Sequence, residues 1–310
     1  MLGFVDEGLR ELAASQGGVL TRKQACAGGV PASQLGTASH PRQLIRVREG
    51  VYAEGVLLGG LDAAHRVAVT VAAERLVSDV DLVAAGGTAA VMHNLPLLGQ
   101  DPARPMLIER KQERPKHHGS SRSLLPDETE VLFGVPVTTL ARTAVDVART
   151  RGFAAGVVCA DAALARGVTS AELERLVGRS SRWPGIRAAR RAATFADALA
   201  ESALESLGRV RFEEQGLPAP ELQVWLGSAD DRIGRVDHYW REHRTVAEAD
   251  GAVKYAAGTG LLEEKLREDR LRDAGFEVVR YTWDEALRFP ELLAARIRRA
   301  FARAAARRAA

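Results

Sequence analysis

The last third of the chain changes its hydrophobic period several times, and this switching limits the folds open to it. In ELQVWLGS, Leu222, Val224 and Leu226 alternate with polar residues, the two-residue period of a strand buried on one face. Arg235-Val236-Asp237-His238-Tyr239-Trp240 forms a second such run, with Asp237 and Tyr239 on one face and Val236 and His238 on the other. A third run, residues 245–251, carries Glu248 and Asp250 two apart, directed to the same side. EEKLREDRLRDAGF then predicts a helix, EVVRYTW a fourth strand and the Arg/Ala-rich end a last helix. Short strands interleaved with helices predict a mixed sheet flanked by helices.

The 310 residues suffice for two or three domains. Hydrophobic residues make up 46% and charged residues 27%, a globular composition that excludes wholesale disorder. With 43 Lys+Arg against 40 Asp+Glu the net charge is only +3, so an argument for a nucleic-acid partner has to be regional. Arginine outnumbers lysine 38 to 5, a bias that a GC-rich genome produces as readily as phosphate binding. Cys26 and Cys159 sit in apolar or Ala-rich stretches with no second Cys or His at ligand spacing. That excludes a disulfide scaffold and a Cys-based zinc site. Asp6, Glu7 and Glu11 interrupt any signal-peptide core, and no uncharged apolar run reaches the roughly 18 residues of a membrane span. A cytoplasmic location is expected. Three segments differ in character, 1–55, 60–180 and 196–310. One break falls near 55–60, and a linker is expected near 178–195, where Trp183-Pro184-Gly185 interrupts a cluster of arginines.

In the first segment Leu9 and Leu12 share a helical face, Gly17-Gly18 stops that helix, and Thr21 is placed to cap a second one. Pro31-Ala32-Ser33-Gln34-Leu35 opens a third helix, after which LIRVREGVY alternates as a hairpin. Helix, helix, turn, helix and basic hairpin is the order of a winged helix-turn-helix. Residues 21–50 hold five basic residues, Arg22, Lys23, Arg42, Arg46 and Arg48, against one acid, Glu49. The segment, with GGVLTRKQA, GGVP and LIRVREGVY, resembles the amino-terminal domain of the AbiEi-type antitoxins. The resemblance implies duplex-DNA binding and extends the third helix over about 31–40. Ser33, Gln34, Thr37 and Ser39 would face bases, and Arg42, Arg46 and Arg48 would meet phosphates.

The middle segment reads as an α/β domain, with strand-like runs at 104–110 and 131–138 and a polar loop at 111–128 containing His117-His118. Arg142 and Asp146 in PVTTLARTAVDVAR stand four apart, the spacing of a helical ion pair, so a structural role is favoured. PVTTLARTAVDVAR and ADAALARGV also resemble the AbiEi family, and His93 resembles its conserved-pattern histidine, with Asn94 where glycine is usual. No chemistry is assigned to this segment.

The chemistry is expected in the last segment. A helix beginning near Ala200 carries Glu201 and Glu205 one turn apart, and Asp237, Glu248 and Asp250 lie on neighbouring strands. Carboxylates on adjacent strands repel one another unless a cation sits between them, which suits a hard divalent ion. Metal-dependent hydrolysis follows as the expected chemistry. ESALES, GLPAPELQV, RVDHYW, EADGAVKY, EKLREDRLRDAG and VVRYTW together resemble the Vsr-like branch of the PD-(D/E)XK nucleases, a domain often fused to AbiEi-type domains in actinobacteria. The resemblance implies Glu205 as the helix acid, Asp237 as the motif aspartate and Glu248 as the acid of (D/E)XK, with Mg²⁺ or Mn²⁺ held by Asp237, Glu248 and Asp250. Asp250 stands where the motif has lysine, so Lys254 or Lys265 would supply the positive group, or the site is a relic.

The expected fold is multidomain α/β (α+β): a winged helix-turn-helix, an α/β middle domain and a restriction-endonuclease-like mixed sheet flanked by helices. The expected function is a DNA-binding protein with a Mg²⁺-dependent endonuclease domain. The alternative is a non-catalytic antitoxin and repressor of a type IV toxin-antitoxin system, autoregulating through its winged helix and partnered by a nucleotidyltransferase-like toxin. The terminal helix is expected to pack through Leu292, Leu293, Ile297 and Phe301. Its Arg296, Arg298, Arg299, Arg303, Arg307 and Arg308 are left for phosphate.

Overall fold

The computed structural model describes residues 6–35, 44–99, 104–110, 124–227, 232–251 and 260–309. It is a multidomain α+β fold whose contacts form two compact units, 1–163 with 168–195, and 164–167 with 196–310. None of the described helices is long and apolar enough to cross a membrane.

The first unit opens with α1 (Glu7–Ser15), β1 (Leu20–Thr21), α2 (Arg22–Ala27), a 3₁₀ turn at Ala32–Gln34, β2 (Leu44–Arg48) and β3 (Val51–Glu54). The three strands pair antiparallel in the order β1-β3-β2. Thr21 caps α2 through a reciprocal box with Gln24, satisfying two otherwise orphaned N–H groups. Of the helix expected over 31–40, the described residues show only the 3₁₀ turn. Thr37, Ser39 and Arg42 lie outside the described residues, as does the His117-His118 pair.

The chain continues through α3 (Gly55–Gly60), α4 (Ala63–Leu76), β4 (Leu82–Ala84), α5 (Gly86–Met92), β5 (Leu107–Glu109), β6 (Thr129–Leu132) and β7 (Val135–Thr138). Four helices follow: α6 (Leu140–Arg151), α7 (Phe153–Leu164), α8 (Ser170–Arg179) and α9 (Ile186–Phe195). The run 131–138 is a hairpin rather than one strand, because Phe133 and Gly134 turn with φ of 51° and 77°. The first two segments are not separate in packing. Val19, Val51 and Ala53 share a core with Val71 and Ala72 of α4, Ala84 of β4 and Val135 and Val137 of β7.

The expected linker at 178–195 is instead folded. Ile186, Ala189 and Ala192 bury one face of α9, and Trp183 is buried with the guanidinium groups of Arg142 and Arg149 at 4.5 and 4.6 Å from its ring centroid. Arg142 is itself fully buried and bonds Asp146 at 2.8 Å and Glu128 at 2.5 Å. Arg149 pairs with Asp146 and Arg179 with Glu128. The Arg142–Asp146 spacing is thus one edge of a five-residue ion network, and it is structural.

The second unit contains α10 (Ala203–Glu214), β8 (Glu221–Gly227), β9 (Arg232–Trp240), β10 (Thr245–Ala249), α11 (Gly260–Asp273), β11 (Glu277–Tyr281), α12 (Trp283–Arg288) and α13 (Pro290–Ala309). Its sheet runs β11-β10-β9-β8, antiparallel except for the parallel β10–β11 pair. Leu271 and Phe276 pack with Tyr239, Val246 and Val278. From the alternate strand positions, His238 and Tyr281 meet Phe212 of α10 edge to face.

The terminal helix departs from expectation. Leu293 and Ile297 are buried as expected, but Leu292 is exposed, and four of the six arginines are engaged within the unit. Arg303 and Arg307 pair with Glu277 at 2.7 and 3.1 Å, Arg296 pairs with Glu285, and Arg298 donates to the Gln215 carbonyl. Glu277 is 2% exposed, so these arginines neutralise a buried carboxylate rather than wait for phosphate. Truncation after Phe301 should therefore destabilise the second unit by roughly 1–3 kcal/mol, the cost of a buried acceptor stripped of its partners. A thermal melt of the truncated protein that matches wild type would refute this role.

Candidate functional site

The β9–β10 ladder stops at the pair His238–Ala247. One residue further on, Asp237 and Glu248 face each other, but no strand pairing joins them. The Ala249 N–H instead donates to Asp237 Oδ2 at 2.8 Å. β10 stays with β11 beyond this point, through Ala249–Tyr281 and an Asp250 N–H bond to the Tyr281 carbonyl of 2.8 Å. The two strands part here, and the acids stand at the fork.

Glu248 is 8% exposed, and its Oε1 lies 3.1 Å from Arg267 Nη2 of α11 without hydrogen-bond geometry. Burial, then the charge of Asp237, pushes its carboxyl up to about 7 against the opposing pull of Arg267. Glu205 sits in the first turn of α10, which Ser202 caps. Its Oε2 accepts from the Glu201 N–H at 2.9 Å and from Gln223 Nε2 at 2.8 Å. Burial raises the Glu205 carboxyl too, and Asp237 adds to the rise against these hydrogen bonds. Glu205 and Glu248 therefore each feel the charge of Asp237.

The fourth does not join them in the expected way. Asp250 lies 3.8 Å from Arg280 Nη1, and Arg280 also binds Glu264 and Glu268 at 2.7 and 2.8 Å. Among the described residues no three His, Cys, Asp or Glu side chains are grouped to hold a metal ion. The expected Asp237–Glu248–Asp250 triad is thereby reduced to the facing pair Asp237 and Glu248, with Glu205 beside it. The expected positive group differs as well. Lys254 lies outside the described residues, Lys265 is exposed on α11, and the cation beside Glu248 is Arg267. Arg267 lies two residues along the same helix from Lys265.

Behind the acids, His238 is fully buried, and burial followed by the charge of Arg209 pushes its imidazole down to about 3. It is a neutral core histidine.

The basic residues of the first unit are less uniform than the sequence implies. Arg22, Lys23, Ser33 and Arg46 are exposed and Gln34 is half-buried. Arg48 is tied to Glu74 of α4 at 2.8 Å. A second basic surface lies on α9 and the turn before it, within the stretch whose Pro-Gly break and clustered arginines predict a linker. Between Glu174 and Asp197 there are six arginines and no acid. Arg175 and Arg179 pair with Asp127 and Glu128, and Arg191 covers the Phe153 ring at 3.7 Å. Arg182, Arg187 and Arg190 are exposed and meet no acid among the described residues.

Two proteins of Mycobacterium tuberculosis, the uncharacterized proteins Rv2248 and MT2308, are each 33% identical to this chain over 264 residues, covering 84% of it and 93% of their own length. No family profile matches the chain, and no solved structure matches it.

Proposed function

The chain belongs to the same family as these mycobacterial proteins, and we propose that it is a cytoplasmic DNA-binding protein whose second unit is a Mg²⁺-dependent endonuclease-type domain. The observation that carries this reading is the facing pair Asp237 and Glu248 at the fork of β9 and β10, with Glu205 next to it. A buried carboxylate oxygen without a hydrogen bond, raised by burial and by a second carboxylate, suits a cation with oxygen preference. Two carboxylates are enough for Mg²⁺, which keeps water and substrate phosphate in its remaining positions. When bound there, such an ion would stabilise phosphodiester charge and activate water. Asp237 and Glu248 would hold it. Glu205 would orient water from the α10 side, and Arg267 would face the phosphate in the role expected of Lys254 or Lys265. Incubating the purified protein with supercoiled, linear and mismatch-containing DNA, with and without Mg²⁺ or Mn²⁺, tests the reading directly.

The rival reading has its own observation. Arg267 already neutralises Glu248, and Asp250 in the lysine position turns to Arg280, as would suit a non-catalytic domain. The protein would then be an antitoxin-like repressor that binds its own promoter, with a nucleotidyltransferase-like toxin as partner. DNA binding without cleavage under every metal condition would favour it.

Both readings place duplex DNA on the first unit, at Arg22, Lys23 and Arg46. The exposed arginines of α9 and its preceding turn offer a second basic surface for phosphate. Each phosphate contact contributes roughly 0.9 to the slope of log affinity against log salt. Replacing Arg182, Arg187 and Arg190 together by alanine should lower that slope by nearly three, with little change in melting temperature because all three are exposed. Replacing Arg46 should lower it by about one, and Arg48→Ala should instead loosen β2 from α4. An unchanged slope in the triple variant would remove α9 from the interface.

A further inference from the structure

One hydrogen-bond chain in the second unit links β9 and α10, which carry Asp237 and Glu205, through β11, the sheet neighbour of the Glu248 strand β10. His238 Nε2 lies 2.8 Å from the Tyr281 hydroxyl, which donates to the Leu204 carbonyl at 3.3 Å. His238 and Tyr281 are both fully buried. His238 Nδ1 is buried without a hydrogen-bond partner. A buried N–H left unpaired costs more than a bare ring nitrogen among apolar groups, so the single proton of the neutral imidazole sits on Nε2. The direction of the chain follows: His238 donates to Tyr281, and Tyr281 donates to Leu204.

Each member stands one residue from an acid. His238 follows Asp237 on β9, Leu204 precedes Glu205 on α10, and Tyr281 pairs across the sheet with Ala249, which follows Glu248. α10 is shaped to admit the contact. A Cβ on Gly208 would overlap the Tyr281 hydroxyl, so only glycine lets the helix come this close. Phe212 and Trp240 then close the pocket edge to face.

We infer that Tyr281, with His238 and Gly208, is a positioning residue: it pins the first turn of α10 to β9, and through β11 to the neighbouring β10, so that Glu205 is held beside Asp237. Mutually repelling carboxylates spread apart when their supports are free to move. A tie between their backbones therefore holds the cluster in place, within the fraction of an ångström that a metal or catalytic site requires. The inference rests on the nuclease-type reading of that cluster.

The test uses the full-length Tyr281→Phe variant, which keeps the ring and removes the hydroxyl, and Ile297→Val as a core control of similar stability cost on α13. Mn²⁺ affinity is measured by electron paramagnetic resonance, and Mg²⁺-dependent cleavage is split into kcat and KM for DNA. Loss of such outer support typically costs 10–100-fold. Tyr281→Phe is expected to weaken Mn²⁺ binding and lower kcat within that range, with KM unchanged and Ile297→Val near wild type in both. Amide exchange over residues 204–206 should quicken in Tyr281→Phe and in Gly208→Ala, which supplies the answer if either variant is too unstable for kinetics. Wild-type Mn²⁺ affinity in a folded Tyr281→Phe, or unchanged exchange in both variants, overturns the inference while leaving the nuclease-type reading intact. Failure of the wild-type protein to bind Mn²⁺ overturns that reading, and this inference with it.

Discussion

Asp237→Asn and Glu248→Gln are each expected to abolish Mg²⁺-dependent DNA cleavage while leaving duplex affinity at its wild-type value. The two acids face each other at the strand fork, and each offers the ion a charge that its amide lacks. Loss of about 4 kcal/mol of charge stabilisation corresponds to a roughly 10³-fold fall in kcat. Affinity should persist because Arg22, Lys23 and Arg46 belong to the first unit. Residual cleavage within tenfold of wild type in either variant would exclude the pair as the metal site. The same pair carries a stability signature. The Glu248 carboxyl is pushed up to about 7 in the folded chain from its ordinary 4.5, so the folded state binds its proton more tightly than the unfolded state. Its contribution is fully present below about pH 4.5 and is lost as pH rises through about 7. The melting temperature of Glu248→Gln should therefore gain on metal-free wild type across that interval. Mg²⁺ should raise the wild-type value at pH 8 and leave the variant's unchanged.

The sheet of the second unit was legible because its strands alternate cleanly. The period-two pattern placed Asp237 beside Tyr239 and set His238 on the other side, and the packing of Tyr239 on Phe276 and of His238 on Phe212 agrees. The partners of the acids were not legible. Arg267 and Gln223 reach Glu248 and Glu205 from elements whose approach depends on how α11 and β8 pack, and no local spacing encodes that approach. In the first unit the boundary at 55–60 misled for a related reason. Beside Val71, α4 brings Ala68, Ala72 and Ala73 into the shared core, and alanine buries a surface without marking a hydrophobic face. The same holds for α9, where Ala189 and Ala192 lie under conspicuous arginines. Charge is visible in that stretch and packing is not, so its pattern predicts a linker where the chain forms a helix. The terminal helix shows the converse, since its arginines were visible but their buried partner, Glu277, sits on a distant strand.

Arg142→Met is expected to cost the first unit about 3–5 kcal/mol, the usual penalty for removing one partner from a buried ion pair. Glu128 and Asp146 are at most 1% exposed and, among the described residues, keep only Arg179 and Arg149 as cationic partners once Arg142 is gone. Methionine fills part of the volume, so most of the loss is electrostatic rather than a cavity. Trp183 also loses one of the two guanidinium groups over its ring, which loosens the turn leading into α9. Denaturant melts followed by Trp fluorescence would report the change. A companion variant separates the contributions: Arg142→Lys keeps a charge but cannot make the two divergent bonds to Asp146 and Glu128. It should recover less than half of the lost stability. If Arg142→Met melts within 1 kcal/mol of wild type, the network is replaceable by apolar packing. The i,i+4 pair that marked it in the sequence would then contribute no more than an exposed helical pair does.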